Sequence, residues 1–340
     1  GSYTGAFSNA NVGTGKTVTI TSSYSGADSG NYSVTDQSST TADISTKALT
    51  ATASASNKTY DGGTTASTTL TFSGLVGSET LGQTVGSTFD NKNVGSNKSV
   101  SVNSITLADG TGLAANYSIS AGQTTTAHIS PKSLTVSGNT ASNKTYNSNS
   151  SATVTVTLSG FVGSETLTYT NSSSFNNKNV GTGKTVTVDS ITLADGNNGG
   201  LASNYSVTPG QTTTANITAK SLTVSGIIAS SKTYDGSASA TLDTSSVLYS
   251  GIISGDTFTG SYTGAFSNAN VGTGKTVTIT SSYSGADTGN YSVTDQSSTT
   301  ADISAKALTA TASVSNKTYD ATSSATTTLT LSGLVGSETL

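Results

Sequence analysis

Lys16-Thr17-Val18-Thr19-Ile20-Thr21 and Ala152-Thr153-Val154-Thr155-Val156-Thr157-Leu158 place an aliphatic residue at every second position with threonine between. A period of two puts the aliphatic side chains on one face of an extended chain and the hydroxyls on the other, which predicts half-buried β-strand. Outward from these stretches the pattern persists. The segment after Lys47 reads as strands near Leu49–Ala55, Thr68–Leu75, Glu79–Val85, Lys98–Leu107, Asn116–Ser120 and Thr124–Ile129, separated by Asn, Gly and Asp clusters that favour turns. No helical periodicity competes. The parity slips once, between Val100/Val102 and Ile105/Leu107, and again between Val186/Val188 and Ile191/Leu193, which predicts a β-bulge or a strand changing sheets.

The composition narrows what such strands can build and do. Ser (62) and Thr (67) fill 38% of the 340 residues, apolar residues make up 32% and charged residues only 9%. One large core is therefore not expected. Fourteen lysines against eighteen carboxylates give a net charge of −4 without a cluster of either sign, which excludes the electrostatic footprint of a nucleic-acid binder. No apolar run is long enough to span a bilayer as a helix. The absence of cysteine excludes disulfides, thiolate zinc sites and thiol nucleophiles.

The chain repeats at two scales. Gly1–Leu81 aligns with Gly260–Leu340 at 72 of 81 positions, an offset of 259 residues. A shorter period begins at Lys47, Lys132, Lys220 and Lys306, with spacings of 85, 88 and 86 residues. The expected organisation is thus the C-terminal part of a repeat at 1–46, complete repeats at 47–131, 132–219 and 220–305, and the N-terminal part of another at 306–340, a window on a longer array. About six short strands per repeat, each with one apolar face, predict tandem Ig-like β-sandwiches of about 86 residues. A small barrel is the alternative. Domains of this size are marginal alone, and the junctions, such as Ala42-Asp43-Ile44-Ser45-Thr46-Lys47-Ala48-Leu49 and the one carrying Pro131, hold no Gly-rich linker. An elongated rod or filament is expected.

Four motifs recur. Tyr60-Asp61 returns as Tyr146-Asn147, Tyr234-Asp235 and Tyr319-Asp320. Asn91-Lys92-Asn93-Val94-Gly95 returns at Asn9–Gly13, Asn177–Gly181 and Asn268–Gly272. An aspartate followed by Asn-Tyr-Ser appears at Asp28/Asn31, Asp109/Asn116, Asp195/Asn204 and Asp287/Asn290, and an exit strand Thr-Thr-Ala-x-Ile closes each repeat. Together they resemble the YDG and MBG repeats of large bacterial surface adhesins, including filamentous-haemagglutinin-like proteins. The resemblance covers essentially the whole chain. It implies an all-β stalk or adhesive repeat at the cell surface or in secreted matrix, and it brings no catalytic residues with it. Asn147 in place of the motif Asp, and Ala321 in place of its Gly, depart from the pattern.

Taken singly, the chemistry-bearing residues read as structural. His128 has Asp43, Asn216 and Asp302 as counterparts, so it reads as a solvated surface residue, and with no other histidine to serve as base an enzyme is not expected. Glu79, Glu165, Asp256 and Glu338 occupy one turn each and read as turn caps. The loops at Asp109, Asp195 and Asp287 offer oxygens to Ca²⁺, but Asx-turns explain them equally, so no cofactor or metal site is expected beyond weak Ca²⁺ at loops or junctions. The recurrent tyrosines read as buried side chains with their hydroxyls on backbone rather than as sugar-stacking platforms. Lys47 and Lys58 and their equivalents leave Lys–Asn isopeptide crosslinks open. The expected function is a structural stalk or fibre segment, extracellular or on the bacterial surface, whose partners are neighbouring repeats and neighbouring copies. The alternative is that the repeats themselves bind glycan or protein.

Overall fold

The computed structural model describes residues 1–340 and contains strands and four single-turn 3₁₀ segments, with no α-helix. No helix is long and apolar enough to cross a membrane. The chain divides into two compact units, one comprising Gly1–Ser137, Leu158–Thr170 and Ile191–Thr208, the other Gly138–Thr157, Asn171–Ser190 and Pro209–Leu340. Repeat 47–131 lies within the first unit and repeat 220–305 within the second.

In the first unit, repeat 47–131 is built on a five-stranded sheet in the order Lys58–Thr59, Thr124–Ser130, Gly95–Asp109, Leu81–Phe89, Thr65–Ala66. Its pairings are antiparallel except that Lys58–Thr59 runs parallel to Ile129 and Ser130. Two further sheets are formed by Thr50–Ala55 with Thr68–Ser73 and by Lys47–Ala48 with Tyr117–Ser118. Two of the chain's changes of sheet lie side by side. Thr50–Ala55 continues into Lys58–Thr59 of the larger sheet, and Thr65–Ala66 leaves that sheet to become Thr68–Ser73. A bond from Ser56 N–H to Ser67 C=O (2.9 Å) clamps the two crossing points together. Gln83 ties the sheets from the side: its amide accepts from Leu70 N–H (3.0 Å) and donates to Leu70 C=O (2.7 Å), taking the place of a strand neighbour.

The period-two reading holds residue by residue. Val100 and Val102 are fully buried while the hydroxyl neighbours face outward, and Tyr60, Ala66, Phe89, Val100, Ala127 and Ile129 form the core. The parity slip is a β-bulge: the register against Leu81–Phe89 shifts between Val102 and Ser104, which leaves Asn103 unpaired. A second bulge, which the alternation does not reveal, lies between Gly95 and Lys98. It recurs between Gly13 and Lys16, Gly181 and Lys184, and Gly272 and Lys275.

Repeat 220–305, in the second unit, has the same five-stranded order, Lys232–Thr233, Ser298–Ser304, Gly272–Ser284, Thr259–Phe266, Ser239–Ala240. Its core is Ala229, Phe266, Val277, Ala301 and Ile303, with Val224, Ile227 and Ile279 beside it. Gln296 bridges Ile227 N–H (2.9 Å) and C=O (2.7 Å).

Candidate functional site at the repeat junctions

Within each unit the recurrent motifs of one repeat converge on those of the next. The turn after Lys58–Thr59 is set first. Lys58 Nζ donates to Asp61 Oδ1 (2.8 Å) and to the carbonyls of Gly63 (2.8 Å) and Thr65 (3.2 Å), and it lies 5.6 Å from the centre of the Phe89 ring. Asp61 Oδ1 also accepts from Gly63 N–H (2.8 Å), which closes an Asx-turn. This turn aims Tyr60 at the following repeat. Its hydroxyl donates to Glu165 Oε1 at 2.7 Å, and its own backbone N–H is held by Ser130 C=O (2.9 Å).

Glu165 is buried and receives three donors: Tyr60, Lys92 Nζ (2.9 Å) and Tyr205, whose hydroxyl reaches Oε2 at 2.7 Å. Tyr205 Oη in turn accepts from Val162 N–H (2.9 Å). The two tyrosine rings meet edge to face at 5.5 Å, and Lys92 Nζ sits 5.9 Å from the Tyr60 ring centre. Burial pushes the Glu165 carboxyl up, but the bonds from Lys92, Tyr205 and Tyr60 outweigh it and hold the group below the ordinary glutamate range. Burial, with the Glu165 charge beside it, pushes Tyr205 up to about 12 and raises Tyr60 as well. A parallel amide latch lies alongside: Asn204 Oδ1 accepts from Val94 N–H (2.9 Å), and Asn204 Nδ2 donates to Asn93 Oδ1 (3.1 Å).

The second unit repeats the arrangement with a shorter acid. Tyr146 donates to Asp256 Oδ2 (2.9 Å), Tyr291 donates to the same oxygen (2.6 Å), and Ile253 N–H donates to Tyr291 Oη (3.0 Å). One methylene less draws in a second carboxylate. Lys178 Nζ bonds Asp287 Oδ1 at 2.9 Å and stands 3.6 Å from Asp256, and Ser148 Oγ donates to Asp256 Oδ1 (2.9 Å). Asn290 Oδ1 accepts from Val180 N–H (2.9 Å). The remaining two junctions are lysine-free, because Ala10 and Ala269 stand where Lys92 and Lys178 stand elsewhere. There Tyr117 donates to Glu79, with Asn116 latching Val12 (2.8 Å), and Tyr234 donates to Glu338.

Several expectations change in detail. Glu165 and Asp256 are not turn caps; their oxygens face the tyrosines of the preceding repeat and of their own. Tyr60 and Tyr146 are buried as expected, but they bond a carboxylate of the next repeat rather than backbone, whereas Tyr117, Tyr205 and Tyr291 do take a backbone N–H. His128 is exposed and also employed: its Nδ1 accepts from Asn97 N–H (3.1 Å) inside the recurrent bulge. Asp43, Asn216 and Asp302 accept from Gly15, Gly183 and Gly274 in the same way, each at 2.7 Å. Asp109 and Asp195 accept from Ala114 and Ala202 N–H (2.7 Å each) and so close their own loops. Sequence reasoning missed Lys92, Lys178 and the latching asparagines as junction residues. Their signal was recurrence itself, since partners lie 73 to 111 residues apart in the chain.

These features define an all-β tandem-repeat protein whose successive repeats are locked by tyrosine–carboxylate junctions. The YDG domain family matches residues 1–42, 45–127, 130–215 and 218–301, and the chain belongs to that family. No curated protein and no solved structure matches the chain.

Proposed function

We propose that this chain is a structural, non-catalytic stalk segment of an extracellular bacterial adhesin or matrix filament, its β-sandwich repeats stacked end to end to give reach. The observation that carries the reading is the recurring junction. Tyr60, Tyr205, Glu165 and Lys92 spend their polar atoms on one another, across the boundary between repeats. A buried polar network satisfied in this way fixes a single mutual orientation and resists partial opening, because each lost partner leaves another group unpaired. In the complete junctions Tyr60, Tyr146, Tyr205 and Tyr291, which could have served a glycan site as platforms, are enclosed instead, which disfavours the lectin-like reading. The placement outside the bacterial cell rests on the motif resemblance and on the hydroxyl-rich, weakly charged surface.

Small-angle scattering on the chain tests the proposal. Strands of eight to ten residues at ~3.3 Å per residue give repeats of roughly 26–33 Å, so four stacked repeat-equivalents are expected to reach roughly 105–130 Å. A maximum dimension below roughly 80 Å, near that of a compact particle of this length, would overturn it.

A further inference from the structure

We propose that the junction between repeats 132–219 and 220–305 closes a covalent bond of its own, an amide joining Lys178 Nζ to Asp287 Cγ. The reactants already touch. Lys178 Nζ lies 2.9 Å from Asp287 Oδ1 and 3.6 Å from a second carboxylate, Asp256. The Asp256 side chain is 1% exposed and that of Asp287 11%, while Lys178 enters from the rim. An amine, an electrophile and a proton carrier therefore stand together in a site largely closed to water. Holding them in one geometry replaces a chance encounter with an intramolecular step, and a shielded product resists hydrolysis.

The surrounding polar groups each have a place in the condensation. The bond to Asp287 raises Lys178 above the ordinary lysine range, so the pair begins as ammonium and carboxylate and a proton has to leave Nζ first. Ser148 lays a path for it: its Oγ accepts from Lys178 Nζ (3.4 Å) and donates to Asp256 Oδ1 (2.9 Å). Ser148 stands where Gly62 and Gly236 stand in other repeats and keeps their left-handed backbone, at φ 65° against 80° and 76°. A serine holds that conformation under strain, and what it brings is the hydroxyl. With the proton on Asp256, the Nζ lone pair attacks Asp287 Cγ and the C–N bond forms. Thr257 N–H, 2.9 Å from Asp287 Oδ2, faces the oxygen on which negative charge gathers. The Cγ–Oδ1 bond then breaks, and Oδ1 leaves as water with one proton from Nζ and the one held by Asp256. Tyr146 Oη bridges that last transfer, 2.9 Å from Asp256 Oδ2 and 3.3 Å from Asp287 Oδ1. One ammonium and one carboxylate become one amide and one water, and Asp256 ends as it began.

The other lysine junction lacks these parts. Lys92 pairs with Glu165 alone, because Asp195, the counterpart of Asp287, turns back to accept from Ala202 N–H (2.7 Å), and Gly62 offers no hydroxyl for a relay. It stays an ion pair, so a single bond is expected in the chain.

Mass spectrometry of the folded, then denatured, 340-residue chain is expected to show one deficit of about 18 Da against the sequence, and proteolysis a branched peptide joining Lys178 to Asp287. Lys178→Arg keeps the cation without the amine and is expected to restore the full mass. Ser148→Gly, which gives this position the residue of its counterparts, is expected to leave the circular dichroism spectrum unchanged and to slow bond formation on the order of tenfold or more. Asp256→Asn is expected to abolish it. The full sequence mass after prolonged incubation of the folded chain would overturn the proposal. So would a deficit that survives Lys178→Arg, or a bond that forms at the ordinary rate in Ser148→Gly and Asp256→Asn.

Discussion

Glu165 shows how one carboxylate comes to hold two repeats together. Burying the charge alone would be prohibitive, and two phenols plus an ammonium return what desolvation takes. Tyr60→Phe removes one donor while keeping the ring, so it is expected to cost about 1.5–3 kcal/mol, the range for a hydrogen bond to a charged group. Tyr60→Ser also opens a cavity and is expected to cost about 2–4 kcal/mol. Urea denaturation checks both, and an unchanged midpoint would contradict the enclosed geometry. The direction of the shifts fixes the pH response. A carboxyl held below its ordinary value contributes stability that is present above that value and lost as pH falls through the folded one, so stability should decline below about pH 4.3. Tyr205, raised to about 12, contributes stability present below about pH 10 and lost as pH rises toward 12. Glu165→Gln should flatten the acid limb. An acid limb of equal steepness in that variant would assign the loss to other carboxylates.

At the scale of the element, the recurrent bulge and the turn after Tyr60 show what alternation cannot reveal. Asn97 has φ of 51°, and its counterparts Gly15, Gly183 and Gly274 lie at 57–60°, so a left-handed residue is built into the strand and its N–H needs an acceptor. His, Asp and Asn all provide one. His128→Ala is expected to cost about 0.5–1.5 kcal/mol, while His128→Asp, the residue of two other repeats, should be close to neutral; equal midpoints for the two variants would rule out the acceptor role. Gly62, at φ +80°, would bring a Cβ to 2.7 Å from Val162 Cγ1. Gly62→Ala should therefore destabilise the repeat, by at least the ~1–2 kcal/mol of a left-handed alanine, measurable by thermal melting. An unaffected melting temperature would show that Val162 gives way freely. The strands were legible because period two is a local property, and Val100 and Val102 are buried as their parity requires. The bulge at Asn103 was legible because it breaks that parity. The bulge at Asn97 changes no aliphatic position and left no trace. The junction was half legible: Tyr60, Asn91–Gly95 and Asn204-Tyr205 stood out by recurring, but their convergence on Glu165 depends on how one repeat seats on the next, and one sequence carries no record of that contact.

For the whole molecule, the lysine at the junction matters through its order along the chain. Residues 10, 92, 178 and 269 read Ala, Lys, Lys, Ala, and the first and last are the same position one 259-residue period apart. An array built on this period has two joints in which an ammonium grips the acid beside the phenols, then one in which phenols hold it without an ammonium. Under tension such an array does not yield at random. The alanine joints are expected to give first and at regular intervals, so that the strand would lengthen in measured steps while the lysine joints keep their hold, as a chain with one soft link in three absorbs a jerk without parting. Pulling on single molecules should show two classes of rupture force, merging into one when Ala269 and Ala10 are replaced by lysine. A single class in the unaltered protein would mean that the joints share load equally.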